Sequence, residues 1–279
     1  MQFGSLSLKL ISDGVMRLDG GAHFGLVPRV LWEKVVEPDE LNRVPVALNC
    51  LLIESQGQRI LVDTGLGDKL SDKQRRNYGL QRPHGGLIGA LQRLGLSVED
   101  IDFVINTHLH GDHCGGNTTF REGQLVPTFP RARYWVQRLE WAEACHPNER
   151  TRATYLPENL HPIEEAGQLR LLNGDAQVTS EVRCVVHSGH TRAYQSVIID
   201  AEGQVAIYMG DLAPFTVHLE RIQWLPAFDV LPLDNLETKR AVRDWALERD
   251  ALLIFQHDPS LSWGRLIRDE EGKYHVACL

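Results

Sequence analysis

A chain of 279 residues, 43% hydrophobic and 24% charged, has the composition of an ordinary soluble globular protein and can bury one large core or two modest ones. A formal charge of -8 argues against nucleic acid or an anionic membrane as the main partner, because phosphate binding needs a concentrated basic face. The five scattered cysteines fit free thiols in a reducing cytoplasm, and neither a targeting stretch nor an apolar run of about 18 residues is present.

In chain order, residues 6–11, 47–54 and 58–63 read as strands, the last two joined by the turn Ser55-Gln56-Gly57. Residues 12–46 have little periodicity but carry large apolar groups, among them Leu26, Val27 and Val36, and are expected to cover a cleft or to pack into the core. Val62-Asp63-Thr64-Gly65 sets an aspartate where a strand gives way to a Gly-rich turn. Residues 66–81 are polar and expected at the surface; Leu87, Ile88, Leu91 and Leu94 recur at helical spacing, closed by Gly95. A buried strand at 101–105 follows, then Asn106-Thr107-His108-Leu109-His110-Gly111-Asp112-His113-Cys114. Beyond a loop to Pro130, residues 134–136 read as a strand and the segment to Cys145 as a helix, stopped by His146-Pro147. Short strands are expected at 169–172, 177–179, 182–186, 196–199 and 205–209, a helix around 241–246, and strands at 252–255 and 274–278. This alternation indicates an α/β or α+β architecture with 1–279 as a single domain. No GxGxxG or GxxxxGK[ST] segment supports nucleotide binding.

Three histidines and an aspartate within six residues of a strand end need a chemical reason. In an extended segment His108 and His110 point the same way, and beyond Gly111 the pair Asp112 and His113 splays apart. Such a set divides between two metal ions, since neutral imidazole and carboxylate are the donors of zinc and other borderline ions. Further donors follow later strands: His187 and His190, Asp211, and His257. Spacing alone leaves His187 and His190 open as ligands, and His161 and His218 with them.

His108-Leu109-His110-Gly111-Asp112-His113 resembles the HxHxDH motif of the metallo-β-lactamase superfamily. Val62-Asp63-Thr64-Gly65, Gly189-His190-Thr191, Gly210-Asp211 and His257 resemble its other signature segments, in order. The resemblance implies an αββα sandwich of two mixed sheets with helices outside and the site at one edge. It implies His108, His110 and His190 on one ion, Asp112, His113 and His257 on the other, Asp211 bridging, and His187 as a bystander. Asp63 would buttress the ligand loop. Two features depart from the pattern: His190-Thr191-Arg192-Ala193-Tyr194 stands where many relatives read HTPGH, and Cys114, expected to be a packed residue, sits beside the site.

Within the superfamily, Arg76-Asn77-Tyr78-Gly79, Tyr155-Leu156-Pro157-Glu158-Asn159 and Ala213-Pro214 followed by His218 are similar to segments of the lactonase-like quorum-quenching hydrolases. Organophosphate hydrolases share some of them. The implied cofactors are two divalent ions, zinc first, with manganese, cobalt or iron as alternatives. A hydroxide shared by the ions would open a lactone or ester, with Asp112 steadying the leaving alkoxide and Tyr194 a donor to the oxyanion. Phe24, Trp32, Phe215, His218 and Trp224 are candidates for an acyl pocket, or else for core. Thioesterase, arylesterase or phosphotriesterase activity on the same site are the rival hydrolytic readings. A mononuclear iron oxygenase or a non-enzymatic domain fits the full donor set less well. Homo-oligomerisation is left open.

Overall fold

The computed structural model describes residues 1–279. Each half of the chain builds one mixed sheet of seven strands. In spatial order the first holds Gln2–Phe3, Leu6–Asp19, Arg43–Ser55, Gln58–Val62, Phe103–Ile105, Arg133–Gln137 and Leu169–Leu172. The second holds Ala176–Gln177, Val182–Val186, Gln195–Ala201, Gln204–Tyr208, Leu252–Ile254, Trp263–Arg268 and Tyr274–Cys278.

Period-two alternation tells each strand which side to face. On Arg43–Ser55, Leu51 and Ile53 point inward and pack with Val197, Ile199, Tyr208 and Ile254 of the opposite sheet. Cys50 and Leu52 point outward, under Leu87 and Leu91 of the helix Gly86–Arg93. On the other side Val242 and Ala246 of the helix Pro232–Glu248 cover Ile198, Ile207 and Leu253. The result is the expected αββα sandwich. No helix is long and apolar enough to cross a membrane.

Each sheet begins with antiparallel hairpins and turns parallel where Gln58–Val62 meets Phe103–Ile105 and where Gln204–Tyr208 meets Leu252–Ile254. Parallel neighbours end at the same edge, so the loops after these strands converge. Those loops carry Asp63, residues 106–113, Asp211 and His257.

Several elements differ from expectation. The first long strand runs through Ser12-Asp13-Gly14 to Asp19, and its partner starts at Arg43. A bulge lies between Ser12 and Val15, with Gly14 at φ +135; the steps from Ser12 to Val15 face the shorter stretch from Asn49 to Ala47, so the register shifts there while the pairing continues. Of residues 12–46, only 20–42 therefore lie outside the sheet, with short helices at Gly20–Phe24 and Arg29–Trp32. Residues 66–81 include a capped helix, Asp72–Asn77, and the expected loop to Pro130 holds the hairpin Thr118–Arg121 and Gln124–Pro127.

Candidate metal centre

The loop after Phe103–Ile105 is pinned before it presents a ligand. The amide groups of Asn106 and Asn117 pair, with Asn117 Nδ2 donating to Asn106 Oδ1 at 2.9 Å, and Thr64 Oγ1 donates to Asn117 Oδ1 at 3.0 Å. Gly115 and Gly116 pass against the backbone of Leu66 and Thr64, where a Cβ would collide with a carbonyl. His110 then caps a single helical turn, Gly111–Cys114, that carries Asp112 and His113.

Asp63, fully buried, accepts from Thr107 N at 2.8 Å, Thr107 Oγ1 at 2.9 Å and His113 Nδ1 at 2.9 Å. Because the Thr107 hydroxyl donates to Asp63, it accepts from His108 Nδ1, 3.1 Å away. Similarly, His190 Nδ1 donates to Asp229 Oδ1 at 3.0 Å and His257 Nδ1 to Ala47 O at 2.7 Å. These partners assign the tautomers and turn the Nε2 atoms of His108, His113, His190 and His257 toward one centre.

Their donor atoms fall into two groups, His108, His110, His190 and Asp211, and Asp112, His113 and His257, each with its atoms within 4.8 Å of one another. Asp211 stands between them: Oδ2 is 3.0 Å from His190 Nε2 and 3.4 Å from His113 Nε2, and Oδ1 is 2.9 Å from His257 Nε2. Two nitrogen pairs, His190 Nε2 with His110 Nδ1 and His257 Nε2 with His113 Nε2, each approach to 3.1 Å. A proton between two such nitrogens gives one hydrogen bond, whereas a cation takes both lone pairs. His108 Nε2 is buried with no partner of its own. These residues fit a pair of divalent ions.

Electrostatics support that fit. Burial, reinforced by neighbouring histidines, holds His108 and His110 well below the usual imidazole range, as neutral donors. Burial also acts to lower His113 and His190, but carboxylates outweigh it. Asp211, Asp112 and Asp63 hold His113 well above its usual value, and Asp211 with Asp229 brings His190 to about 10. Asp211 itself is kept ionised against burial by His113, His190 and His257. Ions entering this centre would displace the protons on His113 and His190.

Other expected residues lie elsewhere. His187 is outside both groups, with Nδ1 at 3.0 Å from Ser196 Oγ, and His161 is exposed beside Glu164. Cys114 is fully buried and donates to Leu109 O. Tyr194 requires correction as an oxyanion donor: it is fully buried, and its hydroxyl donates to Met209 O at 2.6 Å.

The acyl-pocket assignment is corrected too. A cavity of about 240 Å³ opens over the ligands, lined by Met16, Leu18, Leu66, Leu70 and Phe228 among its apolar residues and by Asp112, Tyr78 and His23 among its polar ones. Phe24, Trp32, Phe215, His218 and Trp224 do not line it. They stack on each other as a buried cluster behind its wall, with Phe24 and Trp32 at 5.1 Å and Phe24 and His218 at 5.4 Å. His218 is spent internally, Nδ1 accepting from Phe215 N and Nε2 donating to His23 O.

Three supporting acids or donors were not visible in the sequence pattern. Glu140, buried within a helix, accepts from Leu109 N and Tyr155 at 2.9 Å and from Thr191 at 2.6 Å, tying the His108–His110 segment to the residue after His190. Asp229 follows no motif, and Thr107 was hidden inside one. Glu140 stands one helical turn before Ala144 on the inward face, and that spacing is the one signal that would have pointed to it.

The family described as the metallo-beta-lactamase superfamily matches residues 43–257, well over half of the chain. An N-acyl homoserine lactonase of Bacillus sp is 27% identical over 244 residues, covering 84% of this chain and 86% of its own. A probable metal-dependent hydrolase from Staphylococcus aureus superposes with a TM-score of 0.89 at 28% identity, covering 99% of each chain. The dizinc quorum-quenching lactonase AidC, solved with a product, shares the fold with a TM-score of 0.80 at 19% identity, covering 100% of this chain and 96% of that one. With this match joined to the fold and to the two convergent His/Asp groups, the chain belongs to the metallo-β-lactamase superfamily.

Proposed function

We propose that the protein is a dinuclear metallohydrolase that opens lactone rings, with an N-acylated lactone as its preferred substrate class. The observation that carries the reading is the pair of ligand groups sharing Asp211 at the floor of a cavity with apolar walls. The likeness to N-acyl homoserine lactonases along 84% of the chain supports it. His108, His110 and His190 would hold one ion and Asp112, His113 and His257 the other, with Asp211 common to both; zinc suits this donor set best. Bound there, the ions supply Lewis acidity toward the carbonyl and make water acidic enough to attack at neutral pH.

The chain's own groups do the rest. The Asp112 side chain, 22% exposed, borders the cavity and is placed to take a proton from the attacking water and return it to the ring oxygen as it leaves. Tyr78 takes over the donor role given to Tyr194. It borders the cavity, and burial together with the Asp112 charge raises its pKa, so the phenol stays protonated and can donate to developing negative charge. Met16, Leu18, Leu66, Leu70 and Phe228 offer the apolar surface for an acyl tail.

An anionic thioester is disfavoured. Apart from its histidines, the only cation lining the cavity is Lys69, whose amine donates to the carbonyls of Gly115 and Thr118. The test is acid release from short- and long-chain homoserine lactones, simple γ- and δ-lactones, aryl esters, a glutathione thioester and an aryl phosphotriester. Lactone turnover should dominate and vanish in His110→Ala. Fast thioester or phosphotriester turnover, with lactones at background, would refute the reading.

A further inference from the structure

His23 belongs to none of the ligand sets, yet it lines the cavity. It lies on the short helix Gly20–Phe24 and is only 3% exposed. Neither ring nitrogen has a hydrogen-bond partner. A buried imidazole with both polar atoms unpartnered is costly to keep, so its retention beside a substrate cavity calls for a ligand.

The ring is also held still. Phe215 lies 5.1 Å from it at a tilt, and Phe228 meets it edge-on at 5.6 Å. Behind it, His218 Nε2 donates to the His23 carbonyl at 3.0 Å, and Phe24 stacks on Trp32. The aromatic cluster thus serves as a rigid backing for one polar side chain instead of as the acyl pocket itself. A fixed first contact supported by packed neighbours is what selective recognition needs.

Burial keeps the imidazole neutral, with a pKa of about 4. A neutral imidazole offers one N–H donor and one bare acceptor nitrogen. Among groups found on otherwise apolar lactones, a secondary amide can meet either atom, its C=O accepting from the imidazole N–H or its N–H donating to the bare nitrogen.

We propose that His23 is a specificity-determining residue that hydrogen-bonds the acyl amide of the substrate, so that the enzyme prefers lactones carrying an N-acylamino group over plain alkyl lactones. This rests on the lactonase reading above. It adds a contact to the chain's own recognition surface and leaves the bond-breaking step unchanged.

The experiment compares N-hexanoyl homoserine lactone with γ-decalactone, which has a comparable tail and no amide. Wild type should favour the amide-bearing lactone. His23→Met, apolar and similar in volume, should lower kcat/KM for it about 10-fold while leaving γ-decalactone within about twofold. His23→Gln keeps a donor and an acceptor and should recover most of the loss. The Kd of the ring-opened N-hexanoyl homoserine, measured by calorimetry, should weaken in His23→Met in step with kcat/KM. Equal losses on both substrates, no loss on either, or a wild type that shows no preference would overturn the assignment. The wild-type comparison needs no variant, so it stands even if His23→Met does not fold. Failure of the wild type on both lactones would instead refute the lactonase reading and this inference with it.

Discussion

Asp63→Asn separates charge from shape at the base of the ligand loop. Asp63 adopts φ +57, a left-handed conformation that asparagine tolerates better than most residues, so the backbone should not object. The carboxylate accepts from Thr107 N, Thr107 Oγ1 and His113 Nδ1, all at 2.8 to 2.9 Å. An asparagine has a single oxygen. With that oxygen on Thr107 N, its amino group faces the Thr107 hydroxyl, which can rotate to accept, and His113 Nδ1, which cannot donate to it. The imidazole must forgo the bond or change tautomer, and the second course puts a proton on Nε2, where an ion has to bind. Losing such a partner typically costs about 10- to 100-fold in metal affinity, or about 1.4 to 2.7 kcal/mol. The metal-free protein should lose about 1 to 2 kcal/mol as a charge-assisted bond goes. The assay is competition of each ion against a chelator, with urea unfolding of the metal-free protein alongside. The ion of the Asp112, His113 and His257 group should weaken most. Two ions held within about twofold of wild type would refute the buttress role.

Asp211→Ala should lower the occupancy of both ions and hydrolysis together, whereas His187→Ala should leave metal content intact; elemental analysis showing the reverse pattern would sink the ligand assignment. Asp229→Ala removes the acceptor of His190 Nδ1 and should weaken the ion of the His108, His110 and His190 group by about 10-fold or more, sparing the other, as read by the same chelator competition. Lys239 gives a pH prediction away from the centre: it is fully buried, its amine donates to Trp224 O at 2.7 Å, and burial pushes its pKa from 10.5 to about 7. Between those values the unfolded chain binds more protons than the folded one, so this group's contribution to stability rises with pH across that window, by an amount on the order of a few kcal/mol. The Tm of wild type relative to Lys239→Met should therefore increase from pH 7 to pH 9, and parallel curves would contradict it.

Much of the fold was legible because its strands are short apolar runs set between turns. Cys50-Leu51-Leu52-Ile53 is apolar throughout because Leu51 and Ile53 face the opposite sheet while Cys50 and Leu52 face the helices, as in a sheet covered on both faces. The strand expected at 6–11 was cut short because nothing in Ser12-Asp13-Gly14 itself shows that pairing resumes beyond a bulge, and only the partner strand decides that. Around the site, the clustered donors announced themselves, but the choice between His187 and His190 lay in Asp229, some forty residues further along the chain and outside any motif. The aromatic residues were the least readable. Hydrophobicity tells that Phe24, Trp32 and Trp224 will be buried, not on which side of a cavity wall. His23 carried no sequence signal, since one histidine in a glycine-rich stretch is indistinguishable from a surface residue until its neighbours are known.

The division of the sheets between the two halves of the chain has a consequence for how the protein is made. His108, His110, Asp112 and His113 come from the half that forms the first sheet, and His190, Asp211 and His257 from the half that forms the second. Each ligand group draws on both. Neither proposed coordination sphere could close during synthesis until the later half has emerged and docked, so a captured ion would act as a staple across the sandwich. Maturation would thus have a built-in order, and ions bound by these groups would rivet shut a seam that the chain alone has already aligned.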